Sequence, residues 1–145
     1  MFKTILVPTD GSPMSDKAIG AAIEFARQTG ARIIGISVAD PTSYIALAED
    51  AIAYDVEAYE MEARQTAQSH VQKVAQAASA ANVPCDTVTA LSLNPHEEII
   101  KAADSFHCDA IFMASHGPRS MHRLFAGSQT QKVLAHSTVP VMVFR

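Results

Sequence analysis

The sequence predicts a single α/β domain spanning residues 1–145, doubly wound, with a parallel sheet covered by helices on both faces. Short apolar runs of strand length alternate along the chain with segments of helical period, the order expected of successive right-handed βαβ units. Turn and cap signals fall at the junctions between them. At 145 residues, with 48% hydrophobic and 18% charged, the chain has the size and composition of one ordered globular unit.

Taking the elements in order, Ile5-Leu6-Val7 ends at Pro8 and reads as a short buried strand, followed by the turn Thr9-Asp10-Gly11-Ser12. Ser12 is a good N-cap and Pro13 then occupies the first helical position, where its missing N–H costs nothing. Ile19, Ala22, Ile23 and Ala26 recur at helical spacing until Gly30. Arg32 to Val38, bracketed by Gly30 and Asp40-Pro41, is β-branched and too short for a stable helix, so it reads as the second strand. Thr42 to Glu49 has no clear period and reads as loop or frayed helix. From about Asp50 to Ala81 the chain is rich in Ala, Glu and Gln, and Ala67, Val71, Val74, Ala78 and Ala81 form one apolar stripe of a long helix.

Asp86 to Leu91 gives the third strand. Asn94-Pro95-His96-Glu97 then supplies an N-cap, a first-position proline and a capping-box glutamate for a helix through Ala103. Asp109 to Met113 is the fourth strand. A turn region from Ala114 to Gly127 leads to a last helix carrying Val133 and Leu134, and Val139 to Phe144 closes the sheet. Pro140 cannot donate to a ladder, which places that segment at an edge or its pairing at a strand end.

The formal net charge of −4 and pI of about 5.8 provide no field that attracts nucleic acid or an anionic membrane, so any anion site must be local. The apolar run at the N-terminus is cut by Pro8 and Asp10, and no run approaches a spanning length; the expectation is a cytoplasmic protein with no membrane or nucleic-acid partner. Cys85 and Cys108 lack CxxC spacing, and each lies beside a predicted strand, as buried free thiols do. The scattered histidines form no HxxxH or HExxH pair, and no metal site is expected.

In a doubly wound sheet ligands bind beyond the carboxyl ends of the strands, so the turns after strands one and four carry the chemistry. The second of these reads Ala114-Ser115-His116-Gly117, nine residues, then Gly127-Ser128 at the mouth of a helix. Glycines allow backbone N–H groups to approach a ligand, and orphan N–H groups at a helix start favour an anion. Arg119, His122 and Arg123 lie between the glycines as a local basic cluster. A micromolar ligand needs about 8 kcal/mol, whereas a helix dipole supplies under about 2 kcal/mol. Several charge-assisted hydrogen bonds of about 1.5–3 kcal/mol must therefore converge. Asp10 can accept from a base amino group or a ribose hydroxyl, or it can simply hold its own turn. Walker A, GxGxxG, SGGxDS and HxGH sequences do not occur, and His116 at the tip of a glycine turn is expected to fix that turn by hydrogen bonding and not to act as a general base, which would also need a positioned partner.

The opening Lys3-Thr4-Ile5-Leu6-Val7-Pro8-Thr9-Asp10-Gly11-Ser12, the segment Cys108 to Gly117, and Gly127-Ser128 followed by Val133-Leu134 and Val139-Pro140-Val141 resemble the universal stress protein family over essentially the whole chain. The resemblance implies a five-stranded parallel sheet in the order 3-2-1-4-5, a homodimer, and a branch of the family that binds ATP through G-x-x-G, nine residues and G-[ST]. Here Gly117, Gly127 and Ser128 match that motif, while Ala114 stands at its first glycine. Carried over, the resemblance implies that Asp10 and the Val38 backbone hold adenine, that Ala114 lies near the ribose, and that Gly117, Gly127, Ser128 and the Gln129 backbone surround the phosphates. Pro8 and Thr9 line the pocket, Ser115 and His116 belong to its turn, and Arg119 and Arg123 are added on charge alone. The implied ligand is ATP, with AMP and ADP as alternatives and the need for Mg left open. Dimerisation is expected through the apolar edge Val139 to Phe144.

The function this implies is regulation or protection under stress by a nucleotide-binding dimer, with at most slow ATP hydrolysis and no catalytic residue. Two other readings stay open at this point: a dimeric interaction module that binds no nucleotide, and an ATP-dependent enzyme built on the same adenine-binding architecture.

Overall fold

A computed structural model describes residues 1–41, 56–116 and 127–145. Its strands are β1 (Thr4–Pro8), β2 (Arg32–Ala39), β3 (Cys85–Leu91), β4 (Ala110–Ala114) and β5 (Val141–Phe144), and its helices α1 (Pro13–Thr29), α2 (Val56–Ala80), α3 (Pro95–Ser105) and α4 (Ser128–His136). All neighbouring strands are parallel, in the order β3-β2-β1-β4-β5. The expectations for Thr42 to Glu49 and for a helix starting near Asp50 concern residues outside the described ones.

Side chains alternate between the faces of each strand, and the two cores follow from that alternation. Ile5 and Val7 of β1 point to one face, where Ile19, Ala22, Ile23 and Ala26 of α1 and Val74 and Ala78 of α2 cover them. Leu6, with Ile34, Ile36 and Ile111, points to the other face against Ile99, Ala102 and Ala103 of α3 and Val133 of α4. Alanine fills half or more of the buried positions of α1, α2 and α3, so small side chains face the sheet.

Ser12 caps α1 as expected, its side chain accepting from Ser15 N at 3.2 Å, with Pro13 at the first turn. The capping box foreseen for α3 does not form. Asn94 makes no side-chain cap bond, and its own N–H instead donates to Ser92 Oγ at 3.0 Å. The last strand begins at Val141, two residues later than Val139, because Pro140 has no N–H to give; its carbonyl still accepts from Ile111 N at 2.9 Å. Cys108 is buried as expected, whereas Cys85 is only half-buried because β3 is an outer strand; both are free thiols. No helix among the described residues is long and apolar enough to cross a membrane.

Candidate functional site

A cleft of about 800 Å³ opens at the carboxyl ends of β1, β2 and β4, between α2 and the start of α4. Strand order reverses there, since β1 sends its connection toward β2 on one side while β4 lies on the other. Pro8, Thr9 and Asp10 line it from β1, Val38 from β2, Ala114 and His116 from β4, and Gly127, Ser128 and Gln129 from α4. The turns that the sequence singled out are thus brought to one space, as far as they lie within the described residues.

Asp10 is an exposed side chain with one oxygen committed. Its Oδ1 accepts from Ser12 N at 2.9 Å and Ser15 Oγ at 2.7 Å. Among the described residues Oδ2 accepts nothing. One oxygen of this aspartate therefore holds the turn, and the other has no partner among the described residues, on a residue that lines the cleft.

The start of α4 carries the opposite electrostatic character. Its N-cap is Gly127, which has no side chain to satisfy the first-turn amides. In an α-helix the first N–H groups lack intrahelical acceptors, and here those of Ser128, Gln129 and Thr130 have none among the described residues. A cleft lined both by a carboxylate and by open amides suits a ligand that carries hydrogen-bond donors and an anion.

Gly127 is needed for close approach. A Cβ there would stand 3.2 Å from His116 Cα and 3.5 Å from the Ser115 carbonyl oxygen. The Gly127 N–H itself donates to that carbonyl at 2.5 Å, so it belongs to the protein and not to the set of open amides.

Ser115 departs from expectation. It is 4% exposed and does not line the cleft. Its N–H donates to Phe144 O at 2.7 Å, and its hydroxyl bonds His116 Nδ1 at 2.8 Å, so it fastens the turn to β5. Gly117 and Arg119, with His122 and Arg123, lie outside the described residues.

A sequence model of the universal stress protein family matches residues 1–145, the whole chain. The chain belongs to the universal stress protein family. It is 33% identical over 146 residues to the "Universal stress protein in QAH/OAS sulfhydrylase 3'region" of Thermus aquaticus, each chain being covered completely. Among solved structures it superposes on MJ0577 of Methanocaldococcus jannaschii with a TM-score of 0.84 and 25% identity, covering 99% of this chain and 96% of the other. The universal stress protein of Archaeoglobus fulgidus, solved in complex with dAMP, shares the fold at a TM-score of 0.70 and 17% identity, with 98% and 97% of the two chains covered.

This universal stress protein places four further side chains at the cleft that sequence reasoning missed: Ser15, Ser37, His70 and Thr130. Thr130 Oγ1 donates to the Ala114 carbonyl at 2.9 Å, tying α4 to the end of β4. His70 reaches the cleft from α2, with Nδ1 3.3 Å from Ser37 Oγ. Burial pushes the His70 pKa below its ordinary 6.5, against the attraction of Asp10 and with a smaller push from Lys73, which favours the neutral ring. A signal was available for both residues. His70 is three residues after Ala67 and four before Val74, and Thr130 three before Val133, so each is polar at a core-facing helical position.

Proposed function

We propose that this universal stress protein binds an adenine nucleotide in the cleft and acts as a regulatory or protective stress-response protein in the cytoplasm. The observation that carries the reading is the pairing of Asp10 Oδ2 with the uncapped start of α4 across one cleft of about 800 Å³. Adenine and ribose donors belong at the Asp10 end, beside Pro8, Thr9 and Val38. Phosphates belong at Gly127, Ser128 and Gln129, where the amides of the first turn supply charge-assisted hydrogen bonds without a cation from the helix itself. Gly117 and Arg119 complete the phosphate end in this proposal. Ala114 adds one methyl group near the ribose. The dAMP complex of the Archaeoglobus fulgidus protein is consistent with the same fold holding an adenine nucleotide.

ATP is the proposed ligand, with AMP and ADP as competitors and Mg as counter-ion to the triphosphate. Hydrolysis is slow in this reading, which assigns no residue an acid–base role. The protein is proposed to work as a homodimer through β5, an outer strand whose apolar sequence and exposed Met142 leave an edge to be covered.

Isothermal titration with ATP, ADP and AMP, with and without Mg, tests the proposal. Saturable ATP binding is expected, lost in Gly127→Val, whose branched side chain presses on the His116 backbone and crowds the amides. A protein that binds none of the three, and yields no nucleotide by mass after denaturation, is an interaction module instead.

A further inference from the structure

We propose that His70, acting with Asp10, reads the base of the bound nucleotide and selects adenine over guanine. The inference rests on the nucleotide reading above and names the residue that gives it specificity.

The His70 ring is held on two sides. Ser37 Oγ on β2, itself 3% exposed, lies 3.3 Å from Nδ1. On the other side the ring stands against Gly11, where an added Cβ would be 2.4 Å from Nε2 and 2.5 Å from Cδ2. Nε2 has no polar partner among the described residues, although the ring lines the cleft. Asp10, next to Gly11, leaves Oδ2 open on the same wall. The wall therefore offers two polar atoms that the protein does not use.

In a fixed pose their chemistry distinguishes the two purines. A neutral ring whose Nδ1 accepts from the Ser37 hydroxyl carries its proton on Nε2, and the nearby carboxylate favours that tautomer. Oδ2 then accepts while Nε2 donates. Adenine presents an amino donor next to a ring-nitrogen acceptor, which answers both. In the pose that suits adenine, guanine sets its carbonyl oxygen against the Asp10 carboxylate and leaves both unpaired, so the selection holds where sugar and phosphates fix that pose and keep guanine from sliding its O6 and N1–H into register.

The test is titration of wild type, His70→Leu and His70→Gln with ATP and with GTP, together with ¹⁵N spectra of the imidazole nitrogens and a melt of each variant. Wild type is expected to prefer ATP by about tenfold or more, as one unpaired polar contact implies. His70→Leu is expected to bring the ratio below about threefold, and His70→Gln, which keeps a donor near the Nε2 position, to restore most of it. ATP, but not GTP, is expected to move the His70 Nε2 resonance. An unchanged ratio in a folded His70→Leu protein overturns the assignment, as does a His70 resonance that ATP leaves in place. The resonance decides alone if the leucine variant does not fold. Wild type that binds neither nucleotide removes the nucleotide reading and this inference with it, whereas wild type that binds ATP without engaging His70 removes only the inference.

Discussion

Gln129, at the second position of α4, caps α3: its Oε1 accepts from the His96 backbone N–H at 3.0 Å and lies 3.3 Å from His96 Nδ1. The cap is tertiary, supplied by a neighbouring helix 33 residues away, and it fixes the start of α3 to the helix end that faces the cleft. Replacing Gln129 by Ala is expected to cost about 0.5–2 kcal/mol, the usual value of an N-cap. Asn94→Ala, at the position where sequence alone puts the cap, is expected to stay within about 0.5 kcal/mol of wild type, since its side chain makes no cap bond. Urea midpoints of the two variants measure the contrast.

That contrast also shows where the sequence stops being informative. Strand and helix boundaries followed from local signals such as Ser12-Pro13 and the apolar stripes, because each is set within one turn of chain. The cleft was legible in outline, since the ends of β1 and β4 must meet in a doubly wound sheet. What one segment does to another was not legible. Nothing in Asn94-Pro95-His96-Glu97 indicates that Gln129 displaces the local cap, and nothing in Ala114 to Gly127 indicates that Ser115 turns inward to Phe144. His70 was hidden for a related reason: its period places it on α2's inner face, but only the packed structure shows that Gly11 is opposite.

Gly11 has φ of +78°, a left-handed backbone that costs a residue with a Cβ about 1–2 kcal/mol. Gly11→Ala must also push the His70 ring away, because the new Cβ would lie 2.4 Å from Nε2. The expected loss in the single variant exceeds the backbone cost. In a His70→Ala background the steric part disappears, so the two substitutions together are expected to cost less than their sum. A double-mutant cycle on urea unfolding measures the coupling; strict additivity shows that the ring and Gly11 do not touch.

The two thiols are expected to differ in reactivity from free cysteine and from each other. Burial raises both, and Cys108 reaches about 11, with Asp109 adding to the effect of burial. The thiolate is the reactive form, so alkylation of Cys108 at pH 8 is expected to be slower than in the unfolded chain by more than tenfold. Cys85, half-exposed on the outer strand, reacts first. Peptide mass mapping after timed iodoacetamide treatment, native and in denaturant, gives the order directly.

At the end of the sheet remote from the cleft, Asp109 Oδ2 accepts from Lys3 N at 2.7 Å and Thr4 N at 2.9 Å, while its own N–H donates to Thr4 O at 2.8 Å. These bonds pin the start of β1 beside β4, and they hold the Asp109 carboxyl below its ordinary 3.8, the Lys3 bond first and the Thr4 bond second. A carboxylate with a depressed folded pKa binds fewer protons folded than unfolded between the two values. Its stabilisation is therefore fully present above 3.8 and is lost as pH falls from there through the lower folded value. Asp109→Ala is expected to lower stability by about 1 kcal/mol at neutral pH, solvent exposure holding the loss to the low end. The difference from wild type is expected to shrink on acidification through that window, while ATP titrations of the two proteins agree, because the cleft lies at the other end of β1. Urea midpoints taken from neutral pH downward measure the convergence; a gap that stays constant below 3.8 assigns the loss to packing instead of charge.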